Sequence, residues 1–381
     1  MTRILHLFNI LGAATEKTML DYTLALAGEG WELCAGYETL ADGAFTPSFP
    51  RVRLDRIHVE AQADISAQME EVAAGPKSPA HQALLDGPID LVHGHFGPRI
   101  LQGAAWLKRG VPMVVSLYGY DATRLLRDPC WIERYRWAAE HGATFVTLAQ
   151  SMARRMIALG LPENRVRLIR LGVALDEHVY EPRPAPLQPR FLFIGRLVEK
   201  KGAEVLVRAI EQLVRFHKLH ATVEIIGSGP LEPVLRQLVD DLGVRDLVHF
   251  AGAVPFVELF NRLRGATALV QPSMVAADGD SEGAPMVLMH AQASGVPCIT
   301  TAHAGNPEVL PPEAQRFVVP ERDHTALARA LKTMIGLNPA DRACLQEKGR
   351  CWVRQYYALS VTTREYSELY RELLDTSRVA A

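Results

Sequence analysis

The chain has 381 residues, of which 48% are hydrophobic and 22% charged, and its 41 basic and 43 acidic side chains give a net charge of -2. This length predicts two domains, and the balanced charge argues against nucleic acid as a partner. The five cysteines form no CxxC pair, which argues against a zinc site and favours a cytoplasmic setting. No apolar run reaches the ~18 residues of a membrane span.

In the first half of the chain, strand-like and helix-like segments alternate, which is typical of a parallel sheet covered on both faces. Strands are predicted at 4–8, 32–35, 91–93, 113–116, 144–148 and 167–170. The opening segment MTRILHLF is too short and too quickly interrupted for a signal peptide, so we expect it to form a buried first strand. Helices are predicted at 18–28, 100–109 and 151–159.

A linker is predicted at 181–189, where four prolines exclude a helix or a central strand. The alternation then restarts, with strands predicted at 190–194, 222–226, 247–250, 268–271, 298–301 and 316–318. Helices are predicted at 205–216, 231–242, 257–264, 285–294 and 324–335. The fold class is therefore α/β, with two Rossmann-like units in tandem. A cleft between their carboxyl strand edges is the expected ligand site.

The segment GRLVEKKG at 195–202 follows a predicted strand and combines glycine turns with Arg196 and, five positions later, Lys201. An Arg fork and a Lys ammonium beside a helix start suit a diphosphate. The alternative is a solvated surface pair. The segment IGSGP at 226–230 is a weaker signal, because a GxG turn after a strand is often purely structural.

The segment SEGAPMVLMHAQASGVP at 281–297 predicts a helix with Pro285 as its first residue and Gly295 as its C-cap. Glu282 stands before the positive end of this helix, where a carboxylate stays ionised and can accept sugar hydroxyls; it could also be a plain acidic cap. His290 lies two helical turns after Glu282, and its side chain could face a ligand or simply be packed in the protein.

These three segments, in this order, resemble the GT-B glycosyltransferases of family 4, a retaining family that includes polysaccharide and phosphatidylinositol mannosyl transferases. The resemblance covers nearly all of the second half. It is thinner before the linker, where it rests on Gly12, DLVHGHFG at 90–97, SLYGYD at 116–121 and LGV at 171–173. It implies an acceptor-binding domain at 1–180, a nucleotide-sugar-binding domain at 190–355 and a helix at 356–381 that crosses back to the first domain.

The resemblance also implies roles for single residues. Arg196 and Lys201 would clamp the donor diphosphate and replace a metal ion, Glu282 would contact the donor sugar, and Gly12 would lie close to the phosphate. The other donor-binding positions that it implies are Gly195, Gly227, Ser273, Gly283, Ala284, Val287, Leu288 and His290.

Three positions depart from the family pattern. His290 replaces a second Glu and cannot grip two ribose hydroxyls as a carboxylate can. Tyr118 replaces a His that faces the acceptor, and with a pKa near ~10 it is a poor base at neutral pH; it could position the sugar or be a structural aromatic. Ala174 replaces an Asp. Asp121 and His95 are nearby acceptor-side candidates.

We therefore expect a retaining, metal-independent transferase that uses a UDP- or GDP-sugar and a glycan or lipid-linked acceptor, with no other cofactor. The alternatives are a degenerate member that binds without turnover and a nucleotide-sugar epimerase.

A metal bound by His93 and His95 would need a third ligand. The aromatic and Arg-rich segment 131–137 could touch the inner face of a membrane, although an amphipathic surface helix is the more frequent explanation. The segment 352–374 is predicted to be helical.

Overall fold

A computed structural model of the chain describes residues 2–12, 16–41, 48–59, 64–75, 77–180 and 183–380. It divides into two compact units, which we call unit 1 (Met1–Gly172 with Leu359–Ala381) and unit 2 (Val173–Ala358). Each contains one parallel sheet flanked by helices, so the predicted α/β class with two parallel-sheet units is confirmed. Among the described helices, none has the length and apolar character needed to cross a membrane.

The sheet of unit 1 has seven strands in the order β3-β2-β1-β4-β5-β6-β7, all parallel. The strands are β1 (Arg3–Leu11), β2 (Glu32–Leu40), β3 (Arg51–Arg53), β4 (Leu91–His95), β5 (Met113–Ser116), β6 (Ala143–Thr147) and β7 (Val166–Leu168). The helices are α1 (Lys17–Gly28), α2 (Ile65–Ala74), α3 (Pro79–Leu85), α4 (Ile100–Lys108), α5 (Pro129–Glu140), α6 (Gln150–Ala158) and, after unit 2, α14 (Leu359–Ala380). Buried aromatic side chains such as Trp106, Tyr135 and Phe145 fill the core.

The sheet of unit 2 has six parallel strands in the order β10-β9-β8-β11-β12-β13. They are β8 (Arg190–Ile194), β9 (Thr222–Ile226), β10 (Val248–Gly252), β11 (Ala268–Gln271), β12 (Cys298–Thr301) and β13 (Val318–Val319). The helices are α7 (Ala203–His217), α8 (Glu232–Asp241), α9 (Phe256–Arg264), α10 (Met286–Ala293), α11 (Asn306–Val309), α12 (His324–Ile335) and α13 (Pro339–Tyr356). The chain leaves β8 toward β9 on one side and returns to β11 on the other, which makes the β8/β11 edge a topological switch point.

Several elements differ from the predictions. The strand predicted at 316–318 is β13, because 3₁₀ turns occupy Pro312–Phe317. Pro285 precedes α10 rather than opening it, since its ψ of 114° is extended, and Ser294 rather than Gly295 is the C-cap. The helix predicted over 352–374 is interrupted at 357–358. The carbonyl of Tyr357 accepts a hydrogen bond from the Val173 amide, and Ala358 forms a parallel bridge with Val173.

Candidate functional site in unit 2

Four loops meet at the carboxyl edge of the unit 2 sheet. They follow β8 (195–202), β9 (227–231), β11 (272–285) and β12 (302–305). The backbone joins them directly: the Leu197 amide donates to the Ser228 carbonyl at 2.9 Å, and the Met274 amide donates to the Lys200 carbonyl at 2.9 Å. The three motifs of the sequence therefore form one continuous surface at the edge where parallel sheets bind ligands.

Glycine permits this close approach of the loops. A Cβ on Gly227 would lie 1.9 Å from the Gly195 carbonyl oxygen, and a Cβ on Gly202 would lie 1.9 Å from the Pro272 carbonyl oxygen. Both glycines also have positive φ, 134° and 72°, which side chains adopt with strain. The GxG turn that looked weak in the sequence is thus sterically required here.

The cations of the first loop have different partners. Lys201 Nζ lies 2.7 Å from Glu282 Oε1, and Lys200 Nζ lies 3.0 Å from Asp280 Oδ1. Arg196 is exposed, and within the described ranges no acidic group pairs with it. The loop therefore keeps one cation available to an anionic ligand beside a second that is shared with a carboxylate.

Glu282 is nearly buried and faces both lysines. Burial raises the pKa of this carboxyl, but Lys201 and Lys200 outweigh that effect, and the net pKa lies below its usual value. Glu282 is therefore ionised at neutral pH and can only accept hydrogen bonds, as a group that holds sugar hydroxyls must.

His303 and Glu321, which the sequence analysis missed, hold the Glu282 loop in place. The backbone amide of Glu282 donates to His303 Nε2 at 3.1 Å, so this nitrogen carries no proton. The proton therefore sits on Nδ1, which donates to Glu321 Oε1 at 2.7 Å. His303 lies just after β12, and its place beyond a strand end was the signal that could have identified it.

The same loop presents backbone amides that have no acceptor. Gly283 and Ala284 are buried, and across the residues that the structure describes nothing accepts from their N–H groups. They precede α10, whose first turn holds Val287 and whose Leu288 side chain is wholly buried. Unpaired amides at a helix start favour an anion. Ser273 is also wholly buried, so its hydroxyl is not exposed to a ligand.

His290, on α10, is held by a group of aromatic side chains of unit 2. His178 Nδ1 contacts the Ala174 carbonyl at 2.9 Å and must donate to it, so His178 Nε2 accepts from His290 Nδ1, also at 2.9 Å. Phe256 and Phe260 pack against the same imidazole. The Nδ1–H of His290 is therefore used by His178, and the role of His290 toward the donor stays a prediction.

Candidate acceptor residues in unit 1

The predicted acceptor-side residues lie at the carboxyl ends of β4 and β5. Asp121 is fully buried, and its carboxylate accepts from the amides of Gly97, Tyr118 and Gly119. Burial raises its pKa to about 6, against the lowering effect of these amides. Asp121 therefore anchors the Tyr118 loop and has no surface for an acceptor, which corrects its predicted role. Gly12, the residue predicted to lie close to the donor phosphate, follows β1 with a φ of 82°, and its role stays a prediction.

His95 is also wholly buried, so a direct contact with an acceptor is excluded for it as well. Its Nδ1 lies 3.0 Å from the Tyr118 hydroxyl, and Tyr118 itself is only partly buried. Any effect of His95 on a ligand must therefore pass through Tyr118.

His6 supplies the third imidazole that the metal interpretation of His93 and His95 lacked, since nitrogens of all three lie within 4.8 Å of one another. The rings of His93 and His95 are stacked with centroids 4.4 Å apart and planes inclined by 23°. Both ring nitrogens of His93 already form hydrogen bonds, Nδ1 with Tyr370 and Nε2 with Ser116. We interpret the three histidines as a hydrogen-bonded network.

Similarity to known proteins

Two family models match the chain. Residues 181–352 match glycosyl transferases group 1, and residues 14–172 match the glycosyl transferase 4-like domain. WcaL of Escherichia coli (strain K12), named as a glycosyltransferase of colanic acid biosynthesis, is 30% identical over 288 residues, which span 74% of this chain and 71% of WcaL. A GDP-mannose-dependent phosphatidylinositol monomannoside mannosyltransferase of Corynebacterium glutamicum is 28% identical over 285 residues, 74% of this chain and 69% of its own.

Solved structures share the fold at lower identity. Sucrose-phosphate synthase from Thermosynechococcus elongatus superposes with a TM-score of 0.76 at 19% identity, covering 98% of this chain and 100% of that one. HepE from Anabaena, solved in complex with UDP and glucose, gives a TM-score of 0.74 at 14% identity with the same coverage. Such identities speak for the fold alone.

Proposed function

The chain belongs to the GT-B glycosyltransferases of family 4, and from this membership we propose that it is a retaining, metal-independent hexosyltransferase. The donor is a UDP- or GDP-sugar bound by unit 2. The acceptor is a hydroxyl of a growing polysaccharide or a lipid-linked glycan, for which unit 1 carries the binding residues. The names of WcaL and of the mannosyltransferases support this substrate class.

The observation that carries the proposal is the pairing of Lys201 with Glu282 beside Arg196 and the amides of Gly283 and Ala284, for which the described part of the chain supplies no partner. The two cations and the amides offset the charge that develops on the nucleoside diphosphate as it leaves. Glu282, held ionised, accepts hydrogen bonds from the sugar hydroxyls. Two carboxylates of this site, Glu282 and Asp280, are paired with Lys201 and Lys200. In this proposal the positive charge that offsets the diphosphate therefore comes from the protein and not from a metal ion.

The reaction breaks the bond between the anomeric carbon and the diphosphate oxygen and forms a bond from the acceptor oxygen to the same carbon on the same face. The proton of the acceptor hydroxyl passes to the departing phosphate oxygen. This assignment requires no side-chain base, which agrees with the phenol at position 118.

The test measures nucleoside diphosphate release from a panel of UDP-, GDP- and ADP-sugars in the presence of EDTA. We expect Arg196→Ala and Lys201→Ala each to lower turnover by roughly 10²–10³-fold. The matched control is Arg215→Ala, an exposed arginine of α7 paired with Glu211. Near-normal turnover in either site variant, or loss of activity in EDTA, would remove the mechanism. The anomeric configuration of the product, read by NMR, tests retention.

A second candidate is a protein that binds nucleotide-sugar without efficient turnover, which the pairing of His290 with His178 favours. Calorimetric binding of a donor with no diphosphate release in the presence of glycan acceptors would support it.

A further inference from the structure

A group of buried polar side chains lies under the candidate acceptor residues of unit 1, where α1 and α14 pack beside the ends of β1, β4 and β5. We call it the histidine–tyrosine cluster. Its members are His6, Tyr22, His93, His95, Ser116, Tyr118, Tyr366 and Tyr370. The direction of its hydrogen bonds decides what the one partly exposed member, Tyr118, can offer to a ligand.

The imidazoles of the cluster are neutral. His6, His93 and His95 are wholly inaccessible to solvent, and burial lowers the pKa of His6 to about 3 and those of the other two well below the usual value. Each ring therefore carries one N–H donor and one lone pair.

The neighbours of His6 fix its tautomer. Thr23 donates its only hydroxyl proton to the Met19 carbonyl at 2.7 Å, so its oxygen can only accept from His6 Nδ1, which lies 3.4 Å away. His6 Nε2 is buried without a partner among the described residues, and an orphaned N–H is rarer in protein interiors than an unused acceptor. Both observations place the proton of His6 on Nδ1.

This assignment propagates to His95. His6 Nδ1 lies 3.0 Å from His95 Nε2, so His95 accepts at Nε2 and carries its own proton on Nδ1. Nδ1 then donates toward the hydroxyls of Tyr22 and Tyr118, each 3.0 Å away. Neither hydroxyl can give its proton back to this nitrogen.

One hydroxyl proton is then left over. The Tyr22 and Tyr118 oxygens lie 2.9 Å apart, so one hydroxyl donates to the other and the second must donate elsewhere. Tyr22 is fully buried, and among the described residues Tyr118 is the hydroxyl that lies within ordinary hydrogen-bond geometry as an acceptor for it, so a spare proton there would be an unsatisfied donor. Tyr22 therefore donates to Tyr118, and the proton of Tyr118 points away from the cluster.

We propose that His6, His95 and Tyr22 are positioning residues that make the Tyr118 hydroxyl a fixed hydrogen-bond donor to an oxygen atom of the bound sugar substrate. The inference rests on the proposed function for the identity of the ligand, but not for the direction of the network. Tyr118 takes no proton in the reaction. Its pKa is raised by burial, so it remains a donor throughout the neutral range.

The network direction is tested on the full chain labelled with ¹⁵N-histidine. Long-range ¹H–¹⁵N correlation spectra distinguish protonated from unprotonated ring nitrogens, and His6→Gln and His95→Gln assign the signals. We expect the proton on Nδ1 in both residues at pH 7. A proton on Nε2 of His95 would overturn the proposal, because both hydroxyl protons would then be used inside the cluster. This result does not depend on whether the chain turns over a sugar.

The kinetic test uses the donor sugar that the diphosphate-release panel selects. We expect Tyr118→Phe to lower kcat/KM about tenfold, by the same factor at every pH from 6.5 to 9, and Tyr120→Phe, an exposed neighbour, to change little. Tyr22→Phe should cost less than threefold, because His95 still donates to Tyr118. A loss in Tyr118→Phe that is confined to the alkaline limb would indicate a base and contradict the proposal.

Discussion

Lys201 and Glu282, which belong to loops after different strands, form an ion pair with 2.7 Å between Nζ and Oε1, and both side chains are at least 85% buried. A carboxylate in such a place is stable only with a nearby cation. The pair therefore ties the first motif of unit 2 to the third, and it presents a ligand with a lysine already oriented by the group proposed to hold the sugar.

The pair should be a measurable part of the stability of unit 2. In Lys201→Met, the Glu282 carboxylate loses its main cation, and we expect the free energy of unfolding to fall by about 3 kcal/mol. Lys201→Met combined with Glu282→Gln should recover part of this loss, because no buried charge remains. Urea unfolding at pH 7 measures both. Equal stability of the single and double variants would contradict a coupled pair.

The pH dependence gives a second check on the pair. The pKa of Glu282 in the folded chain lies below its usual 4.5, so its stabilising contribution is present above pH 4.5 and is lost as the pH falls through the folded value. In Lys201→Met the pKa of Glu282 in the folded chain should rise above 4.5, because burial then outweighs the remaining lysine. The free energy of unfolding should then decrease as the pH increases toward neutrality.

Gly227 should be irreplaceable for a steric reason. Its Cβ would overlap the Gly195 carbonyl oxygen, and its φ is 134°, so we expect Gly227→Ala to destabilise unit 2 by about 3 kcal/mol or more. The control is Gly243→Ala, where φ is also positive but no atom lies within 4 Å. There the left-handed backbone alone should cost about 1 kcal/mol. Thermal unfolding of both variants separates steric overlap from backbone strain.

The sequence predicts the elements that depend on local pattern. Apolar runs next to glycine or proline locate β8, β9, β11 and β12, and the unit 2 motifs then follow from their places after strands. It misses β3, a three-residue strand, Arg-Val-Arg, too short for an alternating pattern, and the short helices α2 and α3. It also misses pairs such as His303 with Glu321 and His178 with His290, because these residues are distant in the sequence and meet only in the folded chain.

The buried histidines of unit 1 should make it sensitive to acid. The pKa of His6 is about 3 in the folded chain, against a usual value of 6.5. Between these two pH values the unfolded state therefore binds a proton that the folded state does not bind. Stability is complete above pH 6.5 and falls as the pH decreases toward 3, by about 2 kcal/mol at pH 5 for this residue.

We therefore expect His6→Gln to take up about one proton fewer on unfolding between pH 6 and 4, as measured by the pH dependence of the urea midpoint. His58→Gln, at an exposed position in unit 1, should leave the slope of the urea midpoint against pH unchanged. A wild-type slope in His6→Gln would show that this imidazole is protonated in the folded chain.

His303 should affect donor binding without touching the donor. It accepts the Glu282 amide and is held by Glu321, so His303→Ala frees the loop that carries Glu282 and the Gly283 and Ala284 amides. We expect a roughly tenfold weaker affinity for the nucleotide-sugar, since one buried hydrogen bond and the order of the loop are lost. Calorimetry with the donor measures it.

His249→Ala, an exposed histidine of β10, is the matched control and should bind like the wild type. Glu321→Gln should be milder than His303→Ala, because its amide oxygen can still accept from His303 Nδ1 and keep the same tautomer. If His303→Ala bound the donor normally while folding correctly, the loop would be rigid without the imidazole. The order of Glu282 would then have to come from Lys201 alone.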